Sequence, residues 1–170
     1  MAIYYADGVS HNPILQVVSS TTTTQSSTSS SSFQNGLSLS ITPQDNTNKI
    51  IVMGTGMISM GGGSTMGGII KVIRHGTGVT SANVSGDGDF GHGFCGATNY
   101  DMDIVPSNGF IYLDSPGTTN TVSYTQQFRT TNHTVYYNKK QYANRPGKAS
   151  MVLIEIKSSW VTITKQFIMH

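Results

Sequence analysis

Residues 37–57 read LSLSITPQDNTNKIIVMGTGM. Leu37, Leu39 and Ile41 alternate with Ser38, Ser40 and Thr42. A period of two puts apolar side chains on one face and hydroxyls on the other, the mark of a half-buried strand. Pro43 has no amide hydrogen and ends the ladder. Residues 44–48, QDNTN, form a polar turn cluster. Lys49-Ile50-Ile51-Val52-Met53 then opens a second strand that is apolar at consecutive positions. Such a run predicts a strand covered on both faces, by the core and by a neighbouring subunit. The unit reads as two antiparallel core strands joined by a short loop.

Working outward, residues 14–18, 69–74, 94–97, 110–113, 122–128, 135–137 and 150–156 read as further strands. No helical periodicity of useful length and no internal repeat is visible. Turn signals recur every 8–12 residues or so, which predicts an all-β, antiparallel β-sandwich, jelly-roll-like. Asn35-Gly36 and Asn108-Gly109 read as turns. Residues 54–68, rich in Gly and Met, read as a strand running out into a loop. From Ser19 to Ser32 every residue but Gln25 is Ser or Thr. Flanking apolar strands favour a hydroxyl-bearing strand there over a linker. Three segments are expected: an N-terminal docking arm over 1–12, a sandwich domain over 13–157, and a C-terminal extension strand over 158–170. The alternative for residues 1–12 is a first strand of the protein's own sheet.

The chain has 170 residues, enough to bury about 70% of its unfolded surface. Charged residues make up 11%, against about 25% in ordinary soluble domains. Net charge is +2 and the basic residues are scattered, so no nucleic-acid partner is expected. A single cysteine, Cys95, leaves no intrachain disulfide framework. The opening MAIYYADGVSHNP lacks the pattern of a signal peptide. No apolar stretch approaches the ~20 residues of a membrane span, so no membrane insertion is expected.

Little in the sequence carries chemistry. Residues 54–68 lack the Gly-Lys-Ser/Thr ending of a phosphate loop. Asp87, Asp89, His92, Cys95, Asp101 and Asp103 do not match calcium or zinc ligand spacing, and aspartates in glycine-spaced loops serve turns. Glu155 is the only glutamate and sits in an apolar strand. No carboxylate pair or nucleophile motif stands out, so neither an enzyme nor a cofactor or metal is expected. The rings of Tyr100, Tyr112, Tyr124, Tyr136, Tyr137 and Tyr142 mostly complete the core and its rim.

The order of a Ser/Thr-rich strand, LSLSITP, a polar turn, NKIIV and later FIYLDSPGTTNTVSYTQQFR resembles small β-rich virion proteins of tailed bacteriophages. Those occur as short whole proteins and as end domains of tail fibres. The resemblance covers roughly residues 15–156, and the resembled proteins commonly end near Ile156, so KSSWVTITKQFIMH departs from the pattern. It implies a virion location, with assembly in the host cytoplasm and release by lysis, and a homotrimer. The implied partners are other virion proteins, in a tail baseplate or adaptor or in the capsid, and a host surface glycan.

On this basis the expected role is a short tail-fibre or fibre-tip protein contacting the host surface. The alternatives are a head decoration protein on the capsid lattice and a free carbohydrate-binding module. Ile3, Tyr4 and Tyr5 are the expected virion-docking residues. The long polar loops 76–93 and 138–148 are the expected receptor contacts, through Asp87, Asp89, His92, Lys139, Lys140, Tyr142 and Arg145.

Overall fold

The computed structural model describes residues 3–4, 10–61, 65–85, 93–98, 107–139 and 147–158. Its strands in chain order are β1 (Ile3–Tyr4), β2 (Ser10–His11), β3 (Ile14–Thr22), β4 (Ser26–Thr28), β5 (Gln34–Ile41), β6 (Lys49–Gly61) and β7 (Thr65–His75). They continue as β8 (Ala82–Asn83), β9 (Gly93–Thr98), β10 (Ser107–Asp114), β11 (Val122–Asn132), β12 (Thr134–Tyr137) and β13 (Ala149–Ile156). Among the described residues there is no α-helix. The fold is an all-β antiparallel sandwich.

In the first sheet β3, β13, β6 and β10 lie side by side, and β12 and β4 extend it along the far half of β6. In the second, β5, β11 and β7 lie side by side, with β8 and β9 on β7. β1 and β2 form a separate ribbon. Half of residues 19–32 are strand, in the end of β3 and in β4, and the rest of the run connects strands.

The stretch 37–57 does not fold as a local pair. β5 belongs to the second sheet and β6 to the first, and residues 42–48 arch between them. Each strand turns its buried side chains inward, Leu37 and Ile41 from one side, Ile50 and Val52 from the other. Facing each other across the core removes both apolar stripes from water.

Of the glycine-rich residues after Met53, 54–61 and 65–68 are strand: β6 runs to Gly61 and β7 begins at Thr65. Asn35-Gly36 and Asn108-Gly109 likewise lie inside β5 and β10. Gly36, Gly54 and Gly56 make room. A Cβ on Gly54 would stand 2.2 Å from the Ser150 carbonyl oxygen. One on Gly56 would stand 2.4 Å from Ile70 Cδ1 and 2.8 Å from Gln126 Oε1. One on Gly36 would stand 2.7 Å from the Tyr137 ring.

What fills that room is a polar bridge between the sheets. Gln126 of β11 is fully buried. Its amide nitrogen donates to the carbonyl oxygens of Thr55 and Ser150 at 3.2 and 3.1 Å. Its amide oxygen accepts from the Tyr137 hydroxyl at 2.8 Å, and that hydroxyl accepts from the Leu37 amide at 3.2 Å. The Tyr137 ring stacks on Phe128, centroids 5.1 Å apart. Nearer the other end, Arg74 Nη1 donates to both oxygens of Asp114 at 2.7 and 2.8 Å, and the Tyr124 hydroxyl donates to Asp114 Oδ2 at 2.7 Å. That cluster also joins β7 and β11 of one sheet to β10 of the other.

Replacing Gln126 with Leu strands two carbonyls and a phenol in a dry interior. Gln126→Leu is expected to lower stability by about 2–5 kcal/mol in urea titration. Burial pushes the Tyr137 phenol up to about 12 and raises Tyr124 as well, the latter with help from the adjacent Asp114. A phenol that holds its proton more tightly when folded contributes stability that is complete below the unfolded value near 10.0 and is lost as pH rises toward 12. Stability should therefore fall across that window, and Tyr137→Phe should make the fall shallower, as read by denaturant titrations at successive pH values.

Candidate functional site

The outer faces of the two sheets differ sharply. On the second sheet the outward side chains of β5 and β11 are mostly polar and bonded to one another, while Ile69 and Ile73 stand among the outward positions of β7. Ser40 and Ser123 hydroxyls lie 2.7 Å apart, as do those of Thr42 and Thr121. Thr125 meets both Ser38 and His75, the latter at 2.7 Å. Gln127 donates to Asn35 Oδ1 at 2.8 Å. Lys71 Nζ lies 3.9 Å above the Phe33 ring centroid, with Arg129 at 4.9 Å. An open cleft of about 760 Å³ ends this face between His75, Thr77, Ser81, Asn120 and Ser123. Its lining offers hydroxyl, amide and imidazole groups to a polyol and no ring on which a sugar could stack.

The first sheet presents the opposite surface. The register sets Val17, Ile154, Ile51 and Leu113 in one row across β3, β13, β6 and β10. Ser19, Val152, Met53 and Ile111 form the next. A register shift between Glu155 and Ile156 turns Ile14 out beside Ile156. Ile14, Val17, Ile111 and Leu113 are 44%, 56%, 65% and 53% exposed, and Ile51, Met53, Val152, Ile154 and Ile156 are half-buried. The rim is hydroxyl-bearing, with Thr21, Ser150 and Thr55 in the following row. Charge enters only at one corner, where Lys49 pairs with Ile156 and donates to Ser115 Oγ at 2.7 Å.

Among the described carboxyl groups, Glu155 and Asp114 have structural partners; Asp101 and Asp103 lie outside the described residues. Fully buried Glu155 accepts from Gln16 Nε2 at 2.6 Å, the Gln44 amide at 2.8 Å and Asn48 Nδ2 at 2.7 Å. It fastens the 42–48 arch to β13 and β3. Asp114 is bonded to Arg74 and Tyr124 as above.

The expected contact residues are only partly placed. Ile3 and Tyr4 pair with His11 and Ser10 in the separate ribbon, and Tyr5 lies outside the described residues. Lys139 carries its ammonium 5.1 Å above the Tyr136 ring, and its carbonyl accepts from the Ser59 hydroxyl. Asp87, Asp89, His92, Lys140, Tyr142 and Arg145 lie outside the described residues, as does the extension beyond Ser158. Tyr124 and Tyr137 are core residues.

The aliphatic face was the surface that sequence reasoning foresaw only at residues 50–53. The same signal, apolar residues at both parities, also runs through ILQVV at 14–18, FIYL at 110–113 and MVLI at 151–154. No protein-family model matches the chain, and no curated protein matches it.

Exchanging Glu155 for Gln sets an amide against the donors that now converge on its oxygens. Glu155→Gln is expected to cost about 1–3 kcal/mol, measured by thermal or urea unfolding, and to loosen the 42–48 arch first, seen as faster amide exchange at Gln44.

Proposed function

We propose that this chain is a structural protein on the surface of a tailed-bacteriophage virion, a short tail-fibre or fibre-tip protein that assembles as a homotrimer. The observation that carries this reading is the division of one small sandwich into an aliphatic, nearly uncharged outer face and a hydroxyl-covered one. A protein that works by assembly needs a dry face for its neighbours and a wet one for the medium. The resemblance of residues 15–156 to phage virion proteins supplies the particle.

The strand order supports the same reading. The neighbours β3, β13, β6, β10 in one sheet and β5, β11, β7, β9 in the other, joined by sheet-switching connections, are compatible with a jelly roll. That architecture serves viral capsids and lectins, so it suits both a particle component and a glycan contact. The cleft beside His75 and Asn120 is the described surface best equipped to hydrogen-bond a host polysaccharide.

Cryo-electron microscopy of the purified particle, with copy number, tests the placement. The expected result is a few threefold clusters at the tail. Hundreds of copies on the capsid lattice would replace the fibre with a head decoration protein. Absence from the particle would sink both and leave a free carbohydrate-binding module.

A further inference from the structure

We infer that the outer face of β3, β13, β6 and β10 is the surface through which this chain binds further copies of itself. The inference rests on the self-association in the reading above and names the surface that performs it. It does not need the virion.

Size is the first argument. Four strands about 4.8 Å apart span roughly 19 Å, and the aliphatic rows run about 20 Å along them, a projected area of roughly 400 Å². A standard interface takes about 800 Å² from each partner, arranged as an apolar core within a polar rim. The aliphatic rows match such a core. Ser19, Thr21, Thr55 and Ser150 match the rim.

Charge is the second. A face built for a different protein gains specificity from complementary charge. This face carries the Lys49 ammonium at its Ile156 corner and no charge in the Val17 and Ile111 rows, so those rows oppose no copy of themselves. Its side chains are aliphatic and project from a hydrogen-bonded sheet, a surface that an identical sheet can meet.

Width is the third. The main chain leaves the sheet at the Ile14–Ile156 corner, where the Lys157 amide donates to the Pro13 carbonyl at 3.0 Å. One extended strand laid on the face covers about 4.8 Å of its roughly 19 Å width, whereas a second sheet covers all of it.

Sedimentation equilibrium of the full chain at micromolar concentration tests the inference. The expected mass is a whole multiple of 18.2 kDa. Ile111→Asp combined with Leu113→Asp should weaken association by at least roughly 100-fold while the β circular-dichroism spectrum is retained. Val17→Lys, on the far edge of the same face, should act the same way and covers the case in which the double variant fails to fold. Ser40→Asp, on the polar face, should leave the mass unchanged.

A mass of three copies supports both this inference and the trimer. A mass of two keeps the inference and overturns the trimer. A wild-type mass of 18.2 kDa throughout overturns the inference. So does an oligomer that survives in the folded face variants, or a monomer that associates once residues 159–170 are removed. A monomer in solution that cryo-electron microscopy nevertheless finds on the particle would fail this inference and leave the virion reading standing.

Discussion

A buried primary amide constrains much of this sandwich. Gln126 lies where the two sheets meet, and full burial cuts it off from bulk solvent, so each of its polar atoms must find a partner. Its partners come from β6, β12 and β13 of the opposite sheet. The Thr55 and Ser150 carbonyls can serve only if they turn into the interior, away from the ladder. The Ser150 carbonyl has space to do so because residue 54 has no side chain, and Gln126 itself fits because residue 56 has none. Tyr137, which completes the amide's bonding, rests its ring against Gly36 of β5. One polar side chain thus requires Gly56 directly and, through the Ser150 carbonyl and Tyr137, Gly54 and Gly36 as well. An apolar residue at 126 would leave those groups without their partner and loosen the fit of β6 on β11.

The Arg74–Asp114–Tyr124 cluster does comparable work nearer the opposite end, with different energetics. The ion pair is almost dry, its side chains 9% and 13% exposed, so desolvation cancels much of its attraction. Its value lies in geometry. Asp114 closes β10 beside Ile50, and Arg74 near the end of β7 also donates to the Thr80 and Ser115 carbonyls. Glu155 completes that end by holding the 42–48 arch. A chain with only 8 acidic residues has thus placed two of them inside, at the sheet ends, where each directs a loop.

The sequence made the strands legible and hid the reasons for their neighbours. Alternation in LSLSI and at Val122, Tyr124, Gln126 and Phe128 shows which side chains go inward, and the structure puts them there. Gly54, Gly56 and Gly36 were misleading because glycine looks the same in sequence whether it bends a chain or makes room for a side chain some 70 to 100 residues away. Asn108-Gly109 misled similarly: a turn dipeptide is a local preference, and pairing with Thr55 and Gly56 along β6 overrides it. The aliphatic face was visible as four apolar runs, yet no run says which strands lie beside it. Only the register converts Val17, Ile154, Ile51 and Leu113 from separate residues into a row.

The interior bridges and the outer faces are two consequences of the same shortage of charge. With 11% charged residues, this chain cannot keep itself apart from its neighbours by repulsion. It hydrates the second sheet with hydroxyls that bond across strands, so each Ser or Thr is already partly satisfied and offers water a shallow polar surface. It then leaves the first sheet aliphatic, although a Thr at 111 or 113 would suit the pleat equally well. Val17, Ile111 and Leu113 there are more than half exposed and add little to the folded monomer, because burial, not residue type, yields the stabilisation. Their cost is a tendency to associate without control, and control requires a face of fixed shape. Gln126 and the Arg74 cluster tie β6, β13 and β10 to the second sheet from beneath. The polar core therefore serves the aliphatic surface: it holds the rows in one register, so that what covers them meets a defined shape.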